Sequence, residues 1–219
     1  MPDRAGLICF DNDGTLFASH EVANPAIQEA HVAFCRAAGH ELPAPTDAEI
    51  CRLTGLPGLE FFVQLLPEPL KSRAAEFRLI CVELEARDVL ARGRLFPGAR
   101  ELLLELRARG KKLALVTNAG DRYIGAVAER VGYAALLDGL YHHGKDGMAS
   151  KAEMLRAAHR DLGGAGVVMV GDRHSDLEGA RATGAFFIGC TYGYGEAAEL
   201  EGADRLVGSV AELRSLLVP

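Results

Sequence analysis

Leu7-Ile8-Cys9-Phe10-Asp11-Asn12-Asp13-Gly14-Thr15-Leu16 is an apolar run that ends in two acids one residue apart, followed at once by a glycine. Alternate residues of an extended chain face the same way, so Asp11 and Asp13 converge where the strand opens into a turn. Two unpaired carboxylates repel each other. The pair therefore implies a bound cation, a raised carboxyl pKa, or both.

Working outward from this strand, two textures divide the chain. From about residue 17 to about 93 the pattern is helical. Asn24-Pro25 start a helix with the face Ile27, Ala30, Phe34 and Ala38, stopped by Gly39. Thr46 and Glu49 form a capping box, and Gly55-Leu56-Pro57-Gly58 breaks the chain. A longer helix follows with the stripe Leu70, Ala74, Phe77, Cys81 and Leu84. From Phe96-Pro97-Gly98 onward, short apolar runs alternate with amphipathic helices: Leu113 to Val116, Val167 to Val170, Phe186 to Gly189, and Arg205-Leu206-Val207. Nearly continuous apolar runs are strands buried on both faces, so the fold class is α/β, a parallel sheet with helices on both sides. Leu7 to Phe10 belongs to that sheet. The helical unit is then an insertion after the first strand, set like a lid over the strand ends.

Composition narrows the function. The 219 residues are 49% hydrophobic and 25% charged, a globular profile, and the net charge of -6 disfavours nucleic acid as a partner. Cys9, Cys35, Cys51, Cys81 and Cys190 show no CxxC spacing and read as reduced, mostly buried thiols. The chain begins Met1-Pro2-Asp3-Arg4, its first apolar run is much shorter than a secretory core, and no stretch is long enough for a membrane span. The expectation is a cytoplasmic protein without membrane partners, monomeric or homodimeric.

Three further features fall at carboxyl ends of strands, where open α/β sheets bind ligands. Thr117-Asn118-Ala119-Gly120 offers a hydroxyl and backbone N–H groups to an anion, although it also reads as an ordinary polar turn. Gly171-Asp172-Arg173-His174-Ser175-Asp176 again puts two acids just past a strand. Ser175 with Glu178 matches a capping box, so Asp176 also fits a purely structural place in a first helical turn. Ser150 and Glu153 match another capping box and put Lys151 at a helix start, where its charge opposes the helix dipole. Lys145 in the preceding loop is the rival cation, and His142 and His143 read as exposed turn residues.

Together these motifs resemble the haloacid dehalogenase superfamily, in the order Asp11-Asn12-Asp13-Gly14-Thr15, Thr117, Lys151 and Gly171-Asp172-Arg173-His174-Ser175-Asp176. Leu95-Phe96-Pro97-Gly98-Ala99, Gly179-Ala180 and Tyr192-Gly193-Tyr194-Gly195 are similar to the phosphoglycolate-phosphatase-like branch. The resemblance implies a Rossmann-like three-layer core over residues 1–16 and 94–219, with a helical cap domain over 17–93. It implies a phosphomonoester hydrolase acting on a small soluble phosphate ester through an aspartyl-phosphate. In that reading Asp11 is the nucleophile and Asp13 the acid and base. Mg²⁺ would be held by the Asp11 carboxylate, the Asp13 backbone carbonyl and the Asp172 carboxylate. Thr117, Lys151 and backbone groups near Asn12, Asp13 and Asn118 would hold the phosphate, with Asp176 acting through water or by fixing Lys151.

Substrate choice is expected in the lid and its hinge, at His20, Glu21, Arg52 and the Gly55–Gly58 turn, each of which also reads as a plain hinge or surface group. Asn12 stands where the family usually has an apolar residue, and Ala18 where an Asp is frequent. A sugar phosphomutase would use the same two acids. A phospho-aspartate switch would keep its acyl phosphate, which Asp13 would hasten away, and a silent binding module would not need every motif residue. A dehalogenase needs neither Asp13 nor a Mg²⁺ site.

Overall fold

A computed structural model describes residues 5–218, so Met1-Pro2-Asp3-Arg4 and Pro219 lie outside the described residues. Six parallel strands form one sheet: β1 (Leu7–Phe10), β2 (Lys112–Thr117), β3 (Gly139–His142), β4 (Val167–Gly171), β5 (Phe186–Cys190) and β6 (Arg205–Val207), in the order β3-β2-β1-β4-β5-β6. Leu7 pairs with Lys112 on one side and Val167 on the other. The chain leaves β1 toward β2 and β3, then crosses back to β4. That reversal opens a crevice beyond the carboxyl ends of β1, β2 and β4.

The helices that cover this sheet are α5 (Ala99–Ala108), α6 (Asp121–Val131), α7 (Tyr133–Leu136), α8 (Lys151–Leu162), α9 (His174–Thr183) and α10 (Val210–Leu217). Alternation along the strands sorts the core into two layers. Ile8, Phe10, Leu113, Leu115, Val168 and Val170 face a cluster built with Leu102 and Leu106 of α5, Ile124 of α6 and Leu213 of α10. Leu7, Cys9, Ala114, Val116 and Met169 face Met154 and Leu155 of α8 and Leu177 of α9. The three-layer α/β reading therefore holds, and among the described residues no helix is long and apolar enough to cross a membrane.

Between β1 and α5 come α1 (Ala23–Ala37), α2 (Asp47–Leu53), α3 (Glu60–Leu65) and α4 (Ala74–Arg92). Phe77 is their fully buried hub, its ring meeting those of His31, Phe34 and Phe62. These side chains join the same apolar cluster as the upper face of the sheet, so the insertion is packed onto the core. The capping boxes at Thr46–Glu49 and Ser150–Glu153 are both formed.

Several local expectations need correction. Helix α1 starts at Ala23, so Asn24 and Pro25 sit inside its first turn, and the Asn24 amide donates to Asp47 (3.2 Å) instead of capping. Leu84 is only half-buried, and the α4 face closes over Glu85. Helix α9 is capped by Asp176, whose carboxylate accepts the Arg173 N–H at 3.0 Å, not by Ser175 and Glu178. Strand β3 was not expected, because Gly139-Leu140-Tyr141-His142 is short and weakly apolar. Its pairing with β2 sets Thr117 beside His142, which is buried and no exposed turn residue.

Candidate active site

At the end of β1 the Asp11 N–H donates to the Val170 carbonyl of β4 (2.8 Å), which fixes where its carboxylate emerges. The chain then turns tightly: N–H groups of Leu16 and Phe17 donate to the Asn12 carbonyl at 2.9 and 2.8 Å. Gly14 makes that turn possible with φ +83°, and a Cβ there would collide with the Asp172 carboxylate. Asp172, just past β4, is held by the Thr15 hydroxyl (3.0 Å) and the Tyr194 N–H (2.7 Å).

Lys151 reaches into this cluster from the first turn of α8. Its ammonium donates to Asp11 Oδ1 (2.6 Å) and the Val116 carbonyl (2.8 Å). Asp176 Oδ1 lies 2.7 Å from the same ammonium, a second buried ion pair. Burial pulls the Lys151 ammonium down in pKa, but Asp11 and Asp176 outweigh it and leave it raised. Lys145 is placed elsewhere: it donates to the Leu140 carbonyl at 2.6 Å and stands 5.1 Å over the Tyr141 ring.

Ligand oxygens of Asp11, Asp172 and Asp176, all buried, lie within 4.8 Å of one another. Burial, then the charges of Asp11 and Asp176, push Asp172 up to about 8; burial and Asp11 also push Asp176 up to about 6. One ammonium cannot neutralise three buried acids. The surplus of buried carboxylates and an all-oxygen donor set fit a hard divalent cation.

Asp13 stands apart from this cluster, half-buried on the wall of a cavity of about 860 Å³ that also takes in Asp11, Thr117 and Asn118. The Tyr123 hydroxyl of α6 donates to Asp13 Oδ1 at 2.7 Å. Burial pushes the Asp13 carboxyl up to about 6, with the Tyr123 hydrogen bond opposing and the Asp11 charge adding. Across the cavity Glu85 of α4 is pushed to about 8, by burial first and then by Asp13. Asn12 has its side chain directed away from the cavity: its Oδ1 accepts the buried Tyr133 hydroxyl at 2.9 Å. That contact explains a polar residue where an apolar one is usual.

Thr117 ends β2 with its hydroxyl accepting the Ala119 N–H (3.1 Å), and the Asn118 amide donates to the Gly55 carbonyl of the insertion (2.8 Å). Arg173 binds the same loop, donating to the carbonyls of Cys51 (3.1 Å), Arg52 (3.0 Å) and Thr54 while its Nε holds Glu199 (2.9 Å). Of the expected lid residues, Gly55, Leu56 and Gly58 line the cavity. His20 instead meets the Tyr194 hydroxyl (2.9 Å), and Glu21 pairs with Arg94. Tyr123, Glu85 and the Arg173 clamp were not singled out by the sequence reading. Tyr123 carries no motif signal; Glu85 breaks an apolar stripe, the one mark that sets it apart.

A parallel α/β sheet thus gathers buried aspartates and a lysine at its carboxyl edge. A sequence model of haloacid dehalogenase-like hydrolases matches residues 6–184, and the chain belongs to that family. A phosphoglycolate phosphatase of Pectobacterium atrosepticum is 29% identical, covering 96% of this chain and 91% of that one. A haloacid dehalogenase-like hydrolase of Streptococcus pneumoniae superposes with TM-score 0.81 at 25% identity over 99% of each chain. CbbY of Rhodobacter sphaeroides, solved in complex with phosphate, superposes with TM-score 0.76 at 26% identity over 95% of this chain and 96% of that one.

Proposed function

We propose that this chain is a Mg²⁺-dependent phosphomonoesterase acting on a small soluble phosphate ester, with residues 17–93 serving as a cap over a core of residues 1–16 and 94–219. The observation that carries the reading is the convergence of Asp11, Lys151, Asp172 and Asp176 beyond β1 and β4. The Asp11 carboxylate attacks phosphorus in line, breaking the ester bond and forming an aspartyl-phosphate. Asp13 gives its proton to the departing alkoxide, then takes one from the water that hydrolyses the acyl phosphate. A carboxyl at about 6 is suited to both transfers near neutrality.

The Asp11 and Asp172 carboxylates and the Asp13 backbone carbonyl would hold Mg²⁺, which when bound neutralises charge on the transferring phosphoryl group. Lys151 and Thr117 bind phosphate oxygens, and Asp176 keeps the Lys151 ammonium aligned on Asp11. The five free thiols support residence in the cytoplasm. Relatives named phosphoglycolate phosphatase and a structural neighbour in complex with phosphate support the reaction class.

The test is a panel of small phosphate esters assayed with Mg²⁺ and with EDTA, using the wild type and Asp11→Asn. Turnover is expected only for the wild type with metal. Near-normal hydrolysis by folded Asp11→Asn would remove Asp11 as nucleophile.

A further inference from the structure

The cavity is wide for a two-carbon substrate. About 860 Å³ is toward the upper end of sites that enclose whole drug-sized ligands. Its insertion wall is mainly apolar, with Ile27, Leu56, Phe61 and Val82 among its members.

Helix α4 presents a graded face to this space. Arg78, Val82 and Glu85 follow one another at helical spacing and all line the cavity, so the backbone positions that carry acid and cation are about 10 Å apart along the axis. Glu85 is the deep end, close enough to Asp13 to feel its charge. Arg78 is the other end, its guanidinium 3.5 Å from where a Cβ on Gly120 would stand.

Of the other basic side chains on the cavity three are engaged, while His143 leaves its buried Nδ1 without a hydrogen-bond partner among the described residues. Arg122 is bound in fork fashion to Glu83 (2.9 and 2.8 Å), Lys145 donates to the Leu140 carbonyl, and His142 faces Asp121 at 3.6 Å. Among the described residues Arg78 has no ion-pair or hydrogen-bond partner. An exposed guanidinium beside Gly120 on the cavity rim, with its donors free, is a receptor for a planar or tetrahedral anion.

We propose that Arg78 reads a second anionic group at the far end of an elongated phosphate ester, whose apolar or neutral body lies along Val82, Ile27 and Phe61. This rests on the phosphatase reading for the location of the reacting phosphate, and it sets the preferred substrate apart from phosphoglycolate.

Binding separates the two claims. Titration calorimetry in Mg²⁺ uses Asp11→Asn protein, with and without Arg78→Gln, against hexanediol bisphosphate, hexanediol monophosphate, ethylene glycol bisphosphate and phosphoglycolate. The long bisphosphate is expected to bind about tenfold tighter than its monophosphate. That gain disappears with Arg78→Gln and returns in part with Arg78→Lys, while the short bisphosphate shows no comparable gain. Equal binding of the long pair, no measurable binding of the long bisphosphate, or a preference that survives Arg78→Gln would overturn the proposal. So would phosphoglycolate binding tightest in an Arg78-dependent way. If wild-type protein turns over none of these esters while the binding pattern holds, the phosphatase reading fails and the anion site stands.

Discussion

At the residue scale the site depends on which oxygen of each carboxylate is spoken for. Tyr123 donates to Oδ1 of Asp13, whose carboxyl lines the cavity. Tyr123→Phe should slow hydrolysis of alkyl phosphates by about ten- to a hundredfold, a fraction of what general acid catalysis contributes. Hydrolysis of p-nitrophenyl phosphate should fall much less, because its leaving group departs without a proton. Steady-state kinetics on the two esters reads the difference, and an equal loss on both would show that Tyr123 does not act through Asp13. The acids Asp11, Asp13 and Asp172 and the cation Lys151 were legible in the sequence, since each follows a strand or starts a helix. Their orienting partners were not. Tyr123, Tyr133 and Tyr194 come from separate stretches of chain, and a tyrosine on an apolar face looks the same whether or not its hydroxyl meets an acid.

At the scale of elements, α4 carries the main surprise. Its stripe reads as apolar through Leu84, yet the helix rotates Glu85 inward, beside the cavity. Burial raises that carboxyl from 4.5 to about 8, so the folded protein keeps a proton that the unfolded chain releases near 4.5. The folded state is therefore favoured most below 4.5, and stability drains away as pH rises toward 8. Glu85→Gln keeps the neutral shape and removes the slope. At pH 8 the variant should be more stable than the wild type, by up to about 4 kcal/mol. Urea unfolding at pH 5, 6, 7 and 8 measures this, and parallel curves for the two proteins would mean that Glu85 is ionised when folded. Strand β3 was missed for a related reason: a short edge strand with a glycine and a histidine has too little pattern to separate it from a loop.

At the scale of the whole molecule, the insertion is tied to the core at the point where the chemistry would take place. Arg173 follows Asp172 directly and binds three carbonyls at the end of α2, with Asn118 binding Gly55 next to them. Arg173→Ala should free that loop. Amide exchange across residues 54–58 is expected to quicken by about tenfold or more, and KM to rise more than kcat falls. Unchanged exchange there would mean that the clamp does not hold the loop. The sequence by itself determined the parallel α/β core, the helical stretch after β1 and the acids at the strand ends, because alternation, helical spacing and capping are local and survive without neighbours. Only the tertiary structure decided what each acid touches, that Glu85 is buried and that Arg78 is left unpaired. Those facts depend on distances between residues far apart in the chain, which periodicity does not encode and packing alone sets.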